Sequence, residues 1–164
     1  MLIYLRHGDD RGDDVYRHDR RLNDRGKKKA PKAARKLIEK YGHPEAALVS
    51  PFLRAIETVE CMRAAFTRPV DVHLEPRIAQ HLSDKQMRDP RVSPATLAVV
   101  DIQEDDRAFK DRIASHAASA RARAAAPSIV WCVTHQAVIE EVARHFSVKI
   151  SGGLDFLDHV VMLG

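Results

Sequence analysis

The sequence predicts an α/β domain, a three-layer α/β/α sandwich around a mostly parallel sheet. Three observations predict it. Short apolar, strand-like runs alternate with longer helical stretches along the chain. One of those runs, Ile129 to Val133, is apolar throughout, which suits a strand covered on both faces. The length of 164 residues fits one core, so residues 1–164 are read as a single domain.

Each element has its own reason. Leu2-Ile3-Tyr4-Leu5 reads as a short buried strand, stopped by Gly8 and a loop holding Asp9, Asp10, Asp13 and Asp14. Residues 24–41 are helical in composition and end at Gly42; Pro31 is expected either to start that helix or to kink it. Ala46 to Val49 is the next strand. Ser50-Pro51 reads as a helix start, with Ser as N-cap and Pro at the first helical position, and the helix runs to about Phe66. Its apolar face is predicted from Phe52, Ile56, Val59 and Phe66. Val70 to Leu74 is a third strand. Residues 82–102, broken by Pro90 and Pro94, read as a loop or small cap. Glu104 to about Ala125 is an alanine-rich helix, 129–133 the fourth strand, and His135 to Phe146 a helix with Val138, Ile139, Val142 and Phe146 at helical spacing. His159 to Leu163 is the last strand.

Composition narrows the class. Hydrophobic residues at 45% and charged residues at 30% exclude a disordered chain. No apolar run approaches the ~18 residues of a membrane span, and the N-terminal apolar run is too short for a signal peptide. Cys61 and Cys132 lie far apart, in no metal-ligand spacing, and read as small hydrophobes in a reducing, cytoplasmic compartment. Aromatic residues at 5% argue against a stacking platform for nucleic acid. Between residues 17 and 40, eleven Lys and Arg stand against Asp19, Asp24 and Glu39, a formal +8, which leaves −4 for the rest of a chain of net +4. That stretch reads as a solvated basic helix face, or as a face that attracts polyanions.

Ligands of parallel α/β sheets bind where strands run out into loops. The first strand ends in Arg6-His7-Gly8. The second ends in Ser50-Pro51-Phe52-Leu53-Arg54-Ala55-Ile56-Glu57-Thr58. The fourth ends in Thr134-His135-Gln136. Two histidines and two arginines thus fall at one sheet edge. These residue types suit phosphoryl transfer, in which charge spreads over three oxygens and catalysis is mainly positioning against fixed positive charge. Guanidinium forks match phosphate oxygens. Arg54 lies in the first turn of its helix, whose N-terminus also favours anions. A neutral imidazole can attack phosphorus when its other ring nitrogen donates to a fixed acceptor.

With these motifs in hand the chain resembles the histidine phosphatase superfamily, phosphoglycerate mutase-like in fold. R-H-G at 6–8, S-P-x-x-R-A-x-x-T at 50–58 and T-H at 134–135 match its motifs; Leu22-Asn23-Asp24-Arg25-Gly26 with Ala30 looks like its L-T-x-x-G-x-x-x-A. The compact size and the R-H-G-D start are most similar to phosphohistidine phosphatases of the SixA type. The resemblance implies that His7 is the nucleophile and that Arg6, Arg54 and His135 form the phosphate pocket. The backbone amide of Gln136 is a further candidate contact. Arg17, Arg20 and Arg21, with His18, flank that pocket in the family and are candidate substrate-binding residues.

One departure matters. Many members carry a glutamate acid in a pattern like R-L-x-E; here the stretch reads Arg77-Ile78-Ala79-Gln80, and Gln136 stands where another branch has an aspartate. No titratable group follows from those motifs, and Glu75, Asp84, Asp9 and Asp10 remain candidates for the general acid. Loss of that acid costs most with an alkoxide leaving group and least with an imidazole. The sequence therefore favours a phosphatase of phosphohistidine protein. The alternatives are a phosphomonoesterase of small phosphorylated metabolites, a phosphoglycerate-type mutase and a non-catalytic phosphate-binding scaffold. No metal and no cofactor are expected, since neither a H-E-x-x-H motif nor paired carboxylates occur. The expected partner is a phosphorylated protein or small phosphorylated molecule, not a membrane. His73, His116, His145 and His159 are expected to be structural or surface residues, and Trp131 to lie in the core.

Overall fold

A computed structural model describes residues 1–12, 20–81, 104–123, 128–150 and 152–162. Five strands form one sheet: β1 Leu2–Arg6, β2 Ala46–Val49, β3 Asp71–Leu74, β4 Val130–Thr134 and β5 His159–Met162. Their order is β3-β2-β4-β1-β5, with β5 antiparallel to β1 and the other pairs parallel. β4 is central and buried along its whole length, as its apolar run predicts.

Side chains alternate between the two faces. Leu2, Tyr4, Leu48, Val130 and Cys132 pack against helices α3 (Asp106–Arg123) and α4 (Gln136–His145), burying Ile113, Val138, Ile139 and Val142. Ile3, Leu5, Ala47, Val49, Trp131 and Val133 face α1 (Asp24–Tyr41) and α2 (Leu53–Met62), burying Ala30, Ala34, Leu37, Ala55 and Val59. The result is the three-layer sandwich. Trp131 is core, as expected. His116 is fully buried against the Tyr4 ring and 3.7 Å from Glu75, whereas His73 and His145 are exposed.

Two helix starts differ from expectation. Pro31 does not start α1. Asn23 caps it by accepting from Gly26 N at 2.8 Å, and the helix runs through Pro31, whose missing donor falls on a half-exposed side. Ser50 does not cap α2. Phe52 holds that place, and the helix ends at Met62 with a 3-10 turn, Arg63–Ala65. The Ser50 hydroxyl is instead buried and bonded to His135. The buried face of α2 accordingly runs through Ala55, Val59 and Met62, while Phe52 packs its ring against His135. The cap or loop expected over 82–102 lies outside the described residues. Among the described residues, no helix is long and apolar enough to cross a membrane.

The start of α1 is pressed onto the loop after β1. A Cβ on Gly26 would stand 2.4 Å from Asp9 O and 2.9 Å from Asp9 N. Backbone cannot yield there, so Gly26→Ala is expected to destabilise by about 3 kcal/mol, lowering the melting midpoint by roughly 6–12 °C. Gly12→Ala, with nothing within 4 Å of its added carbon, is the neutral control. Equal melting of the two variants would refute this packing.

Candidate active site

Register brings three strand ends together. Arg6 lies opposite Thr134, and Val49 opposite Val133. Ladder bonds continue one residue further, His7 N to Thr134 O and Ser50 N to Val133 O, both 2.9 Å. His7, Ser50 and His135 therefore leave the sheet side by side. Above them opens a cavity of about 380 Å³ whose walls include Arg6, His7, Arg54, His135, Gln80 and Asp10.

His7 is buried, and its Nδ1 lies 2.8 Å from Gly8 O. A carbonyl only accepts, so Nδ1 carries the proton and Nε2 keeps its lone pair. Arg54 Nε–H donates to that Nε2 at 3.2 Å. Burial first, then the Arg54 charge, lower the His7 pKa to about 3, so the imidazole is neutral at neutral pH. Gly8 N in turn donates to Thr58 Oγ1 at 2.9 Å, the last residue of the S-P-x-x-R-A-x-x-T run.

Arg54 is the hub. Its Nη2 donates to Gln80 Oε1 at 2.8 Å and to His135 Nδ1 at 3.2 Å, and its Nε lies 3.6 Å from Asp10 Oδ2. Burial, opposed by Asp10, lowers its pKa to about 10, so it stays charged. His135 accepts at Nδ1, so its Nε2–H donates to Ser50 Oγ at 2.8 Å. Burial, then Arg54, hold its pKa well below the usual histidine range. An anion drawing Arg54 away would free Nδ1, and the Ser50 hydroxyl can reverse from acceptor to donor, so the ring can turn an N–H toward the anion. Arg6 Nη1 donates to Leu154 O, and the Phe156 ring covers its guanidinium at 4.2 Å from the centroid. Its Nε is buried with no partner among the described residues.

Other sequence candidates separate. Arg20 reaches the cavity, 3.6 Å from Asp10 Oδ2. Arg21 does not line it; Arg21 pairs with Glu57 at 3.0 Å. Arg17, His18 and Asp84 lie outside the described residues. Gln136 lines the wall, its side chain donating to Glu140 at 2.8 Å. Of the described acid candidates, Asp9 is held by Arg11 and Asn23, and Glu75 by Arg77, both away from the cavity wall. Asp10 faces it. Sequence reasoning missed Glu140, on the rim one helical turn after Gln136, and Phe156, whose loop carries no motif. Among the described residues, no cluster of three or more acidic, His or Cys side chains is arranged to hold a metal.

The buried neutral histidines set a pH dependence. Folded pKa values of about 3 for His7 and about 4 for His116, both depressed chiefly by burial, lie below the unfolded value of 6.5. The unfolded chain therefore binds protons first as pH falls, and stability is lost from about pH 6.5 downward. Each group removes up to about 2 kcal/mol by pH 5. The melting midpoint is expected to fall by more than about 5 °C between pH 7 and pH 5. A flat calorimetric profile over that range would contradict neutral burial.

The arrangement is an unprotonated imidazole nitrogen that accepts from one guanidinium, with a second guanidinium on the same cavity wall. The chain belongs to the histidine phosphatase superfamily (branch 1), whose family pattern matches residues 2–156. In fold it is similar to the protein histidine phosphatase SixA complexed with tungstate, with TM-score 0.58 and 21% identity, covering 87% of this chain and 74% of that one. It is also similar to a mycobacterial glucosyl-3-phosphoglycerate phosphatase, with TM-score 0.64 and 21% identity, covering 96% and 87%. A third similar structure is the ecdysone phosphate phosphatase from Bombix mori, also with tungstate, with TM-score 0.70 and 13% identity, covering 96% and 86%. A comparison with curated protein sequences finds no match.

Proposed function

We propose that this single-domain chain is a phosphatase that works through a phosphohistidine at His7, with phosphohistidine protein as its favoured substrate. The observation that carries the reading is the unprotonated Nε2 of His7 on the cavity wall: Nδ1–H is tied to Gly8 O, and Nε2 accepts from Arg54 Nε–H, which a bound phosphoryl group would draw away. Arg6, Arg54 and His135 supply the donors for three phosphoryl oxygens. Nε2 attacks phosphorus, the substrate P–N or P–O bond breaks, and the leaving group takes a proton. Water then attacks the His7 phosphoenzyme, inorganic phosphate leaves, and Nε2 recovers its lone pair. Asp10 and Glu140 are the described carboxyl groups on the cavity wall, and Asp10, 3.6 Å from Arg54 Nε, is the one assigned to exchange the proton with leaving group or water. Tungstate in two similar structures supports an oxyanion-binding cavity. Free thiols at Cys61 and Cys132 support a reducing, cytoplasmic setting.

The preference for phosphohistidine rests on Gln80. Its amide accepts from Arg54 where a glutamate acid would stand, and it has no proton to deliver. A protonated imidazole leaves without such an acid; an alkoxide does not. Turnover of a phosphohistidine peptide is therefore expected to exceed that of a simple alkyl phosphate by about 10²-fold or more. Gln80→Glu is expected to raise alkyl phosphate turnover about tenfold while leaving the peptide rate within about threefold. Comparable rates on the two substrates in the unaltered chain would sink the substrate assignment and favour a small-molecule phosphomonoesterase.

A further inference from the structure

A second cavity, of about 540 Å³, lies along α1 beside the loop that leads into β5. It absorbs part of the basic stretch that the catalytic reading leaves unused. Lys29, Lys32, Lys36 and Lys40 stand at helical spacing on one stripe of α1, and all four border this cavity. Lys29, Lys32 and Lys36 are exposed and have no acidic partner among the described residues. Lys40 sits over the Tyr41 ring at 4.9 Å. The floor beneath them is apolar: Ala33, Leu37, Phe156 and Leu157. Asp158 is the acid on the wall, and its carboxylate is engaged by Asp155 N at 2.7 Å.

We propose that this groove is a docking site for an acidic polypeptide segment bearing an apolar anchor side chain. The lysine row supplies charge complementarity over about three helical turns. The apolar floor takes a leucine- or phenylalanine-sized group. Nucleic acid fits less well, because the one tyrosine on the wall is not free to stack: its hydroxyl bonds His159 at 3.1 Å and the two rings meet edge to face. A bilayer surface fits less well because the apolar groups lie in a concavity below the lysines, not on a protruding face.

The groove is tied to the phosphate cavity. Phe156 lines the groove and also lies over Arg6 and 5.8 Å from the His7 ring. Leu157 N donates to Arg6 O at 3.2 Å, and Arg6 N to Asp158 O at 2.9 Å. Leu157 holds φ +68°, an uncommon value for a side chain of its size, which fixes the turn between the two cavities. A segment seated on α1 therefore runs up to the edge of the catalytic opening. Its use in selecting phosphoprotein over free phosphometabolite rests on the phosphatase reading; binding of the segment does not.

The test uses the full chain and a fluorescein-labelled peptide, Glu-Glu-Asp-Phe-Leu-Asp-Glu-Glu. Fluorescence anisotropy is expected to show binding that weakens about tenfold or more in Lys32→Glu/Lys36→Glu and falls with added salt. Replacing Phe-Leu in the peptide by Ser-Ser is expected to weaken it several-fold. Hydrolysis of an aryl phosphate by the same variant stays within about twofold of the unaltered chain, which shows that the fold and the phosphate cavity are intact. If the aryl phosphate rate also collapses, Lys32→Gln/Lys36→Gln repeats the binding measurement without charge reversal. Peptide binding unaffected by either lysine pair overturns the proposal. So does a lysine-dependent capture of phosphatidylserine vesicles or of an oligonucleotide with no hold on the peptide. Peptide binding without any turnover of phosphohistidine protein would uphold the groove and reject the phosphoprotein substrate, so the two failures read separately.

Discussion

His7→Ala is expected to abolish the phosphoenzyme and to lower turnover of phosphohistidine peptide and aryl phosphate alike by at least about 10⁴-fold. The size follows from what is removed. Arg6, Arg54 and His135 can still hold an oxyanion, but His135 then serves as a donor to it, and no further described side chain on the cavity wall has an imidazole nitrogen to carry the phosphoryl group. Stability is expected to change little, because the lost packing against the His135 and Phe156 rings is offset by no longer burying a polar ring. The measurement is acid-quench labelling with a phosphorus-labelled phosphohistidine peptide. The unaltered chain should carry an acid-labile, base-stable phosphate; the variant should carry none while melting near the same temperature. Labelling of the variant would falsify the nucleophile assignment. Oxyanion binding without labelling in either protein would support the scaffold reading.

Much of this site is legible in the sequence because its parts lie one residue beyond strands that the apolar pattern reveals. Arg6-His7 and His135 are found that way, and a parallel sheet delivers them, together with Ser50, to one edge. Ser50 shows the limit. Its position before Pro51 and a helix is what an N-cap looks like locally, yet its hydroxyl is taken by His135, a partner 85 positions away. Pro31 does not start its helix for a related reason: the Asn23 cap and the small residues Gly26 and Ala30 fix α1 upstream of it. Asp10 and Arg20 reach the cavity, and Phe156 covers Arg6, through loops whose course no periodicity records. Choosing Asp10 over Asp9 and Glu75 needed the partners that occupy the other two.

Arg54 carries the second large effect, and here charge and shape come apart. Arg54→Lys keeps a cation but has one nitrogen, which cannot serve His7, His135, Gln80 and Asp10 from one plane. kcat/KM for an aryl phosphate is expected to fall about 10²–10³-fold in Arg54→Lys and further in Arg54→Ala. A second readout separates this role from mere packing. Arg54 is the largest charge contribution, after burial, to the lowered pKa of both His7 and His135. Removing it in Arg54→Ala takes away a positive neighbour and admits water; both changes favour the protonated ring, so the His7 pKa rises from about 3 toward the usual 6.5. The acidic limb of kcat/KM against pH should therefore move to higher pH in Arg54→Ala and much less in Arg54→Lys. A rate loss in both variants with no movement of that limb would mean that Arg54 only binds phosphate. The limb moves only if Arg54 also keeps the nucleophile unprotonated, so the pH profile, rather than the rate alone, tests whether one guanidinium performs both tasks.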